Sequence, residues 1–265
     1  MSEFKRGITN QNFITELNSS KYWQQMVKDE DLFIAIRNEY LNVYYYGQSI
    51  CKVEFVKNKI KWTSHKKYLG IDESGYIDTG TYLEKIDELK RNARKHGGKE
   101  KEQVKQNILE DKRLCILDVE ITFGREGSFG KRSIDFLAIE KDSSDKIKLV
   151  FYEAKHFDNS EIRAREIPKV FKQIDKYEKV LKDTKHQREI LTSYTTIYEN
   201  IKALNFNNKS SLVNLIGADS NKLEIDTEPR LIIFAIDKNK KDDIHIQKLK
   251  TQFGDKRLIL KINAV

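Results

Sequence analysis

The sequence predicts an α+β chain, with a mixed central sheet flanked by helices and a small N-terminal α+β domain ahead of it. Three observations predict it. Runs of β-branched and aromatic residues cluster at 40–63 and again at 114–156. Apolar residues recur at helical spacing before, between and after those runs. Finally, Leu231–Ile236 (LIIFAI) is apolar without alternation, as in a strand covered on both faces.

In chain order, Ile14, Leu17, Tyr22 and Met26 mark a helix over 14–28. Tyr40–Tyr46 (YLNVYYY) reads as a strand, and a turn at Gly47-Gln48-Ser49 interrupts it. Ile50–Val56 alternates as a second strand, and Lys59–Thr63 follows the Lys57-Asn58 turn as a third. Leu83, Ile86 and Leu89 place a helix over 82–94, and the polar stretch Lys95-His-Gly-Gly-Lys99 marks a domain junction. We therefore expect an N-terminal domain over 1–95 and a second domain over 99–265. The second opens with a charged helix (99–111). Strands over 114–123, 132–140 and 146–156 follow, joined by short loops suited to antiparallel pairing. Pro168 suits a first helical turn, and Val170, Ile174, Tyr177 and Leu181 continue that helix. Ile190, Tyr194, Ile197, Ile201 and Leu204 form the stripe of another. Lys256–Ile262 is a last candidate strand.

With 265 residues the chain can bury one large core or two small ones. Charged residues make up 34%, and no apolar run reaches bilayer length, so a membrane is not expected as a partner. The start Met1-Ser-Glu-Phe-Lys-Arg lacks the layout of a secretory signal. The two cysteines, Cys51 and Cys115, form no disulfide or zinc pattern, and a cytoplasmic location is expected. A net charge of +8 favours phosphate backbones as partners, although solvated lysines alone would give the same number.

Chemistry concentrates on two strands. Ser133-Ile-Asp-Phe-Leu137 sets one carboxylate, Asp135, in an apolar strand. Phe151-Tyr-Glu-Ala-Lys155 puts Glu153 and Lys155 two residues apart, hence on one face. Charges inside buried strands are normally paired or bound to metal. Two adjacent carboxylates attract a hard divalent cation such as Mg²⁺ or Mn²⁺. A nearby ammonium can orient water or offset charge at phosphorus. An acid-x-Lys triplet alone is weak, since Glu3-Phe-Lys5 and Asp183-Thr-Lys185 also have it. An ordinary sheet with one wet polar face would account for the same alternation.

Together with Gln173-Ile-Asp-Lys-Tyr177 in the following helix, these residues resemble the PD-(D/E)XK nuclease superfamily. The Gln-x-x-x-Tyr element is similar to that of its RecB-like and lambda-exonuclease-like branch. The resemblance covers 99–236 and implies a restriction-endonuclease-like core. It also implies catalysis by Asp135, Glu153 and Lys155, support from Gln173 and Tyr177, a bound Mg²⁺ or Mn²⁺, and a nucleic-acid substrate, DNA above RNA. A role in prokaryotic defence or DNA processing would fit. The alternative is an inactive nucleic-acid-binding or regulatory protein on the same fold.

Further candidates are open between two readings. Glu120 joins the metal site from the first strand or faces solvent. Glu102 and Glu110 are possible helix-borne carboxylates or surface groups. Arg163, Arg165, Lys169 and Lys172 grip phosphates or form a solvated loop. His156 points away from Lys155. The glycines at 124, 127 and 130 form no dinucleotide-binding motif. Tyr44, Tyr45 and Tyr46 pack the N-terminal domain or stack on bases. That domain could bind substrate, a partner protein or a second copy.

Overall fold

The structure, a computed structural model, describes residues 3–71, 75–78, 86–96, 114–123, 133–143, 146–164, 166–206, 223–240 and 243–262. The charged helix expected at 99–111, the glycines at 124, 127 and 130, and Arg165 lie outside them. The chain forms two compact units. One comprises residues 5–102 and 192–218, the other residues 1–4, 103–191 and 219–265.

The first unit is an antiparallel meander with helices. Helices α1 (Gln11–Ser19) and α2 (Lys21–Met26) replace the single helix expected over 14–28. Ser20 is the reason: it ends α1, and its hydroxyl accepts the Trp23 amide to start α2. Strands β1 (Phe33–Ile36), β2 (Tyr40–Tyr45), β3 (Gln48–Val56), β4 (Lys59–His65) and β5 (Tyr76–Asp78) pair in sequence order. The sheet thus has five strands where three are legible in the sequence. Two tight turns set its register. Tyr46 and Gly47, then Lys57 and Asn58, all take positive φ, as two-residue hairpins of matching twist require. Gln48 and Ser49 belong to β3 and not to a turn, and Tyr46 falls outside β2. Tyr44 and Tyr45 are buried, so packing is their use here. Phe13 of α1 stacks on Phe55 of β3 at 5.6 Å. Helix α3 (Ile86–His96) carries acids in its first turn and bases in its last, matching the helix dipole.

The second unit holds the mixed sheet. Its strands are β6 (Cys115–Ile121), β7 (Ile134–Lys141), β8 (Ile147–His156), β9 (Leu223–Ile225), β10 (Arg230–Ile236) and β11 (Leu258–Ile262). The order is β11-β10-β8-β7-β6, with β9 also on β8. β6, β7 and β8 are antiparallel neighbours, whereas β10 runs parallel to β8 and β11 parallel to β10. Helices α4 (Lys169–Lys182) and α5 (Thr184–Ala203) make the crossover from β8. Pro168 sits at the N-cap position just before α4 and makes no side-chain capping hydrogen bond. Helix α6 (Ile244–Arg257) precedes β11, so Lys256 and Arg257 are helical and the last strand starts at Leu258. Val170 and Ile174 of α4 pack with Leu231 and Ile233 of β10 and with Ile246, Leu249 and Phe253 of α6. That core fixes α4 over one face of the sheet. Helix α5 begins in this unit and ends in the other. Its Asn200 side chain binds both the amide and the carbonyl of Ile8, within the first unit.

Candidate active site

The site is built on β8. Glu153 pairs with Leu231 and Lys155 with Ile233 across the β8–β10 ladder, so both point to the α4 face. On the other side of β8, Phe136 of β7 lies opposite Tyr152, and their rings stack at 4.7 Å on the far face. Continuing that ladder by one residue sets Asp135 across from Glu153, on the α4 face. The Asp135 Oδ2 accepts the Ala154 amide at 2.7 Å, which anchors it against β8.

Glu153 is only 1% exposed. Its Oε1 receives the Gln173 Nε2–H at 2.7 Å and the Lys155 ammonium at 2.7 Å. Gln173 Nε2 also lies 3.2 Å from the Tyr177 hydroxyl. Gln173 and Tyr177 are one turn apart on α4, and both are buried on the face that meets β8. Lys155 has a second carboxylate partner, Glu161, at 2.9 Å. Glu161 sits in the segment between β8 and α4, whose backbone is tied down by the Val170 amide donating to the Glu161 carbonyl.

Burial, and then the neighbouring Asp135 charge, pushes the Glu153 carboxyl well above the usual range. Burial also works against the Lys155 ammonium, but Glu153, Asp135 and Glu161 outweigh it and raise its pKa. The Tyr177 hydroxyl is raised by burial and by Glu153, so it stays protonated. Three acidic side chains, Asp135, Glu153 and Glu161, thus crowd around one ammonium.

Among the described residues, two of the site's oxygens are buried without a hydrogen-bond partner, Glu153 Oε2 and Gln173 Oε1. An orphaned buried carboxylate oxygen is costly. A hard divalent cation held by Asp135 and Glu153 would satisfy Oε2 and cancel the repulsion between the two carboxylates. The donor set is all oxygen, which suits Mg²⁺ or Mn²⁺ and not a soft metal. Among the described residues, no three His, Cys, Asp or Glu side chains converge as a ready-made metal cage. Mg²⁺ keeps several waters and needs few protein ligands, so two carboxylates match its habit.

The structure thus brings together Asp135, Glu153, Lys155, Gln173 and Tyr177. Glu120 stands apart from that network. It has φ of 50° within β6, is exposed, and accepts the Ser133 hydroxyl at 2.9 Å. β6 does not alternate as its sequence suggests. A register shift between Ile116 and Asp118 turns Asp118 inward, where its carboxylate accepts the Val119 amide. Arg163 is paired with Asp158 at 3.4 Å and lies over the Phe157 ring. Lys169 and Lys172 are exposed on α4. His156 faces away from Lys155 and meets Phe234 edge-on. Glu161 is the residue that the sequence did not mark. It lies in an irregular segment six residues after Lys155, where no periodicity points to it.

No family model, curated protein or solved structure matches this chain.

Proposed function

We propose that the chain is a metal-dependent nuclease with a restriction-endonuclease-like core, hydrolysing phosphodiester bonds of nucleic acid, with DNA the favoured substrate. One observation carries the reading. Glu153 is a fully buried carboxylate with an unpartnered oxygen, set between Asp135 and Lys155. A buried carboxyl needs a proton, an ion pair or a metal to offset its lost hydration, and such groups concentrate at functional sites. The strand order adds support: three antiparallel strands, the helix bearing Gln173 and Tyr177, and then, beyond α5 and β9, the parallel strand β10 beside Glu153 and Lys155. This agrees with the strand–strand–strand–helix–strand part of the order that the PD-(D/E)XK resemblance implies, whose opening helix falls outside the described residues.

Asp135 and Glu153 would hold Mg²⁺ or Mn²⁺, which supplies charge neutralisation and an acidified water when bound. Gln173 fixes the Glu153 rotamer through Oε1 and leaves Oε2 for the ion. Tyr177 in turn holds the Gln173 amide. Lys155, steadied by Glu161, offers an ammonium to the negative charge that develops on the phosphate. The test is incubation of purified protein with single- and double-stranded DNA and RNA, with Mg²⁺, Mn²⁺ or chelator. Metal-dependent cleavage that Lys155→Ala abolishes supports the reading. No cleavage of any substrate with either metal refutes it.

A second reading is a binding or regulatory protein on the same fold. It draws on the Lys155 ammonium, which already contacts both Glu153 and Glu161 and so offsets part of their charge without a metal. Nucleic-acid binding that chelation leaves unchanged, with no cleavage, would favour it.

A further inference from the structure

The lysines of α4 are sorted along its length by whether an acid pairs with them. Lys179 and Lys182, in its second half, are paired at i,i+4 with Asp175 and Glu178. Glu178 also binds Arg257 at 2.8 Å. Lys169, Lys172 and Lys176, nearer its start, are exposed and have no acidic partner among the described residues. At about 100° per residue, these three fall within one arc of about 60°. That arc borders Gln173, which lies about 40° from Lys169 around the helix. The opposite border of the buried face carries Glu178, Phe171 and Lys182, and that lysine is paired with Glu178. Three uncompensated cations thus flank the side of α4 from which Gln173 and Tyr177 reach Glu153.

We propose that Lys169, Lys172 and Lys176 form a phosphate rail that seats a polynucleotide backbone alongside the Asp135–Glu153–Lys155 centre. The proposal rests on the nuclease reading for its purpose but not for its test. From Lys169 to Lys176 the helix rises about 10 Å. One stacked strand carries about three phosphates over that length. The lysines meet phosphates and not base edges, so the rail is indifferent to sequence. Lys176 enters the interface for this reason, although only Lys169 and Lys172 are suggested by their nearness to β8 in the chain.

The experiment measures binding of fluorescent 12-nucleotide single-stranded DNA and RNA in EDTA, where cleavage cannot interfere, over a range of KCl. Lys169→Gln/Lys172→Gln/Lys176→Gln is compared with Lys179→Gln/Lys182→Gln on the same helix, with thermal melts to verify that both fold. The rail predicts that the triple variant binds at least roughly tenfold more weakly at low salt, and that its salt slope falls by about 2. The double variant should keep the parent slope. A larger loss for DNA than for RNA, or the reverse, identifies the backbone that the rail takes. The rail is overturned if the triple variant binds like the parent, if the double variant loses as much, or if the parent binds neither oligonucleotide at low salt. Failure of cleavage alone would count against the nuclease reading and leave this result standing.

Discussion

Asp135→Asn is the sharpest probe of the acidic centre. Asparagine keeps an oxygen for the Ala154 amide, now 2.7 Å from Asp135 Oδ2, so the β7–β8 register should survive. What it removes is one of the two carboxylates proposed to hold the ion. Mg²⁺ at a hundred times its Kd would stabilise the parent by about 2.7 kcal/mol. With an unfolding entropy of about 2.1 cal/mol/K per residue, a 265-residue chain would melt about 5 °C higher with Mg²⁺ than with EDTA. Asp135→Asn should lose nearly all of that increment while melting close to the parent in EDTA. Cleavage should fall by at least about 10²–10³. The assays are a melt with and without Mg²⁺ and a time course on labelled DNA. A variant that retains the Mg²⁺ increment and cleaves within tenfold of the parent would show that Asp135 is not a ligand.

Glu153→Gln tests the buried carboxyl in metal-free protein. Its folded pKa is raised, so its contribution is fully present below the unfolded value and is lost as pH rises through the folded value. The parent should therefore lose stability relative to Glu153→Gln as pH climbs from about 4.5; parallel stability curves in EDTA would contradict this. Glu161→Gln should lower kcat with little change in KM, because it acts through Lys155 and not on bound substrate. A change confined to KM would place Glu161 at the substrate instead. Asn200→Ala should cost about 2–4 kcal/mol in urea unfolding, since it strands both backbone groups of Ile8. A loss under 1 kcal/mol would mean that water replaces the amide.

The centre was legible where regular structure carries it. Alternation along β8 puts Glu153 and Lys155 on one face, and one helical turn puts Tyr177 beside Gln173, whatever the rest of the chain does. Legibility failed where the backbone leaves the regular pattern. The inward turn of Asp118 needs a bulge, and the position of Glu120 needs a left-handed residue inside a strand. Neither irregularity leaves a trace in composition or periodicity. Glu161 finds Lys155 only because the β8–α4 segment folds back. The break at Ser20 and helix α6 are different, because their signals were present. Ser20 is a good cap, and Asp243 starts a helix whose Ile246, Leu249 and Phe253 recur at helical spacing.

The end of α5 has a consequence for how the protein is made. Ile8 depends on Asn200, Asn18 donates to the Ala203 carbonyl, and the Trp23 indole donates to the Leu204 carbonyl. All of these belong to the unit whose sheet lies within the first 102 residues. A ribosome adding about 5–20 residues per second needs roughly 5–20 s more to reach the far end of α5. During that interval β1–β5 exist without the helix end that completes their unit, while β6–β8 and α4 are being synthesised. A fragment stopped near residue 102 would remain in that unfinished state, with Trp23 and Ile8 lacking their partners.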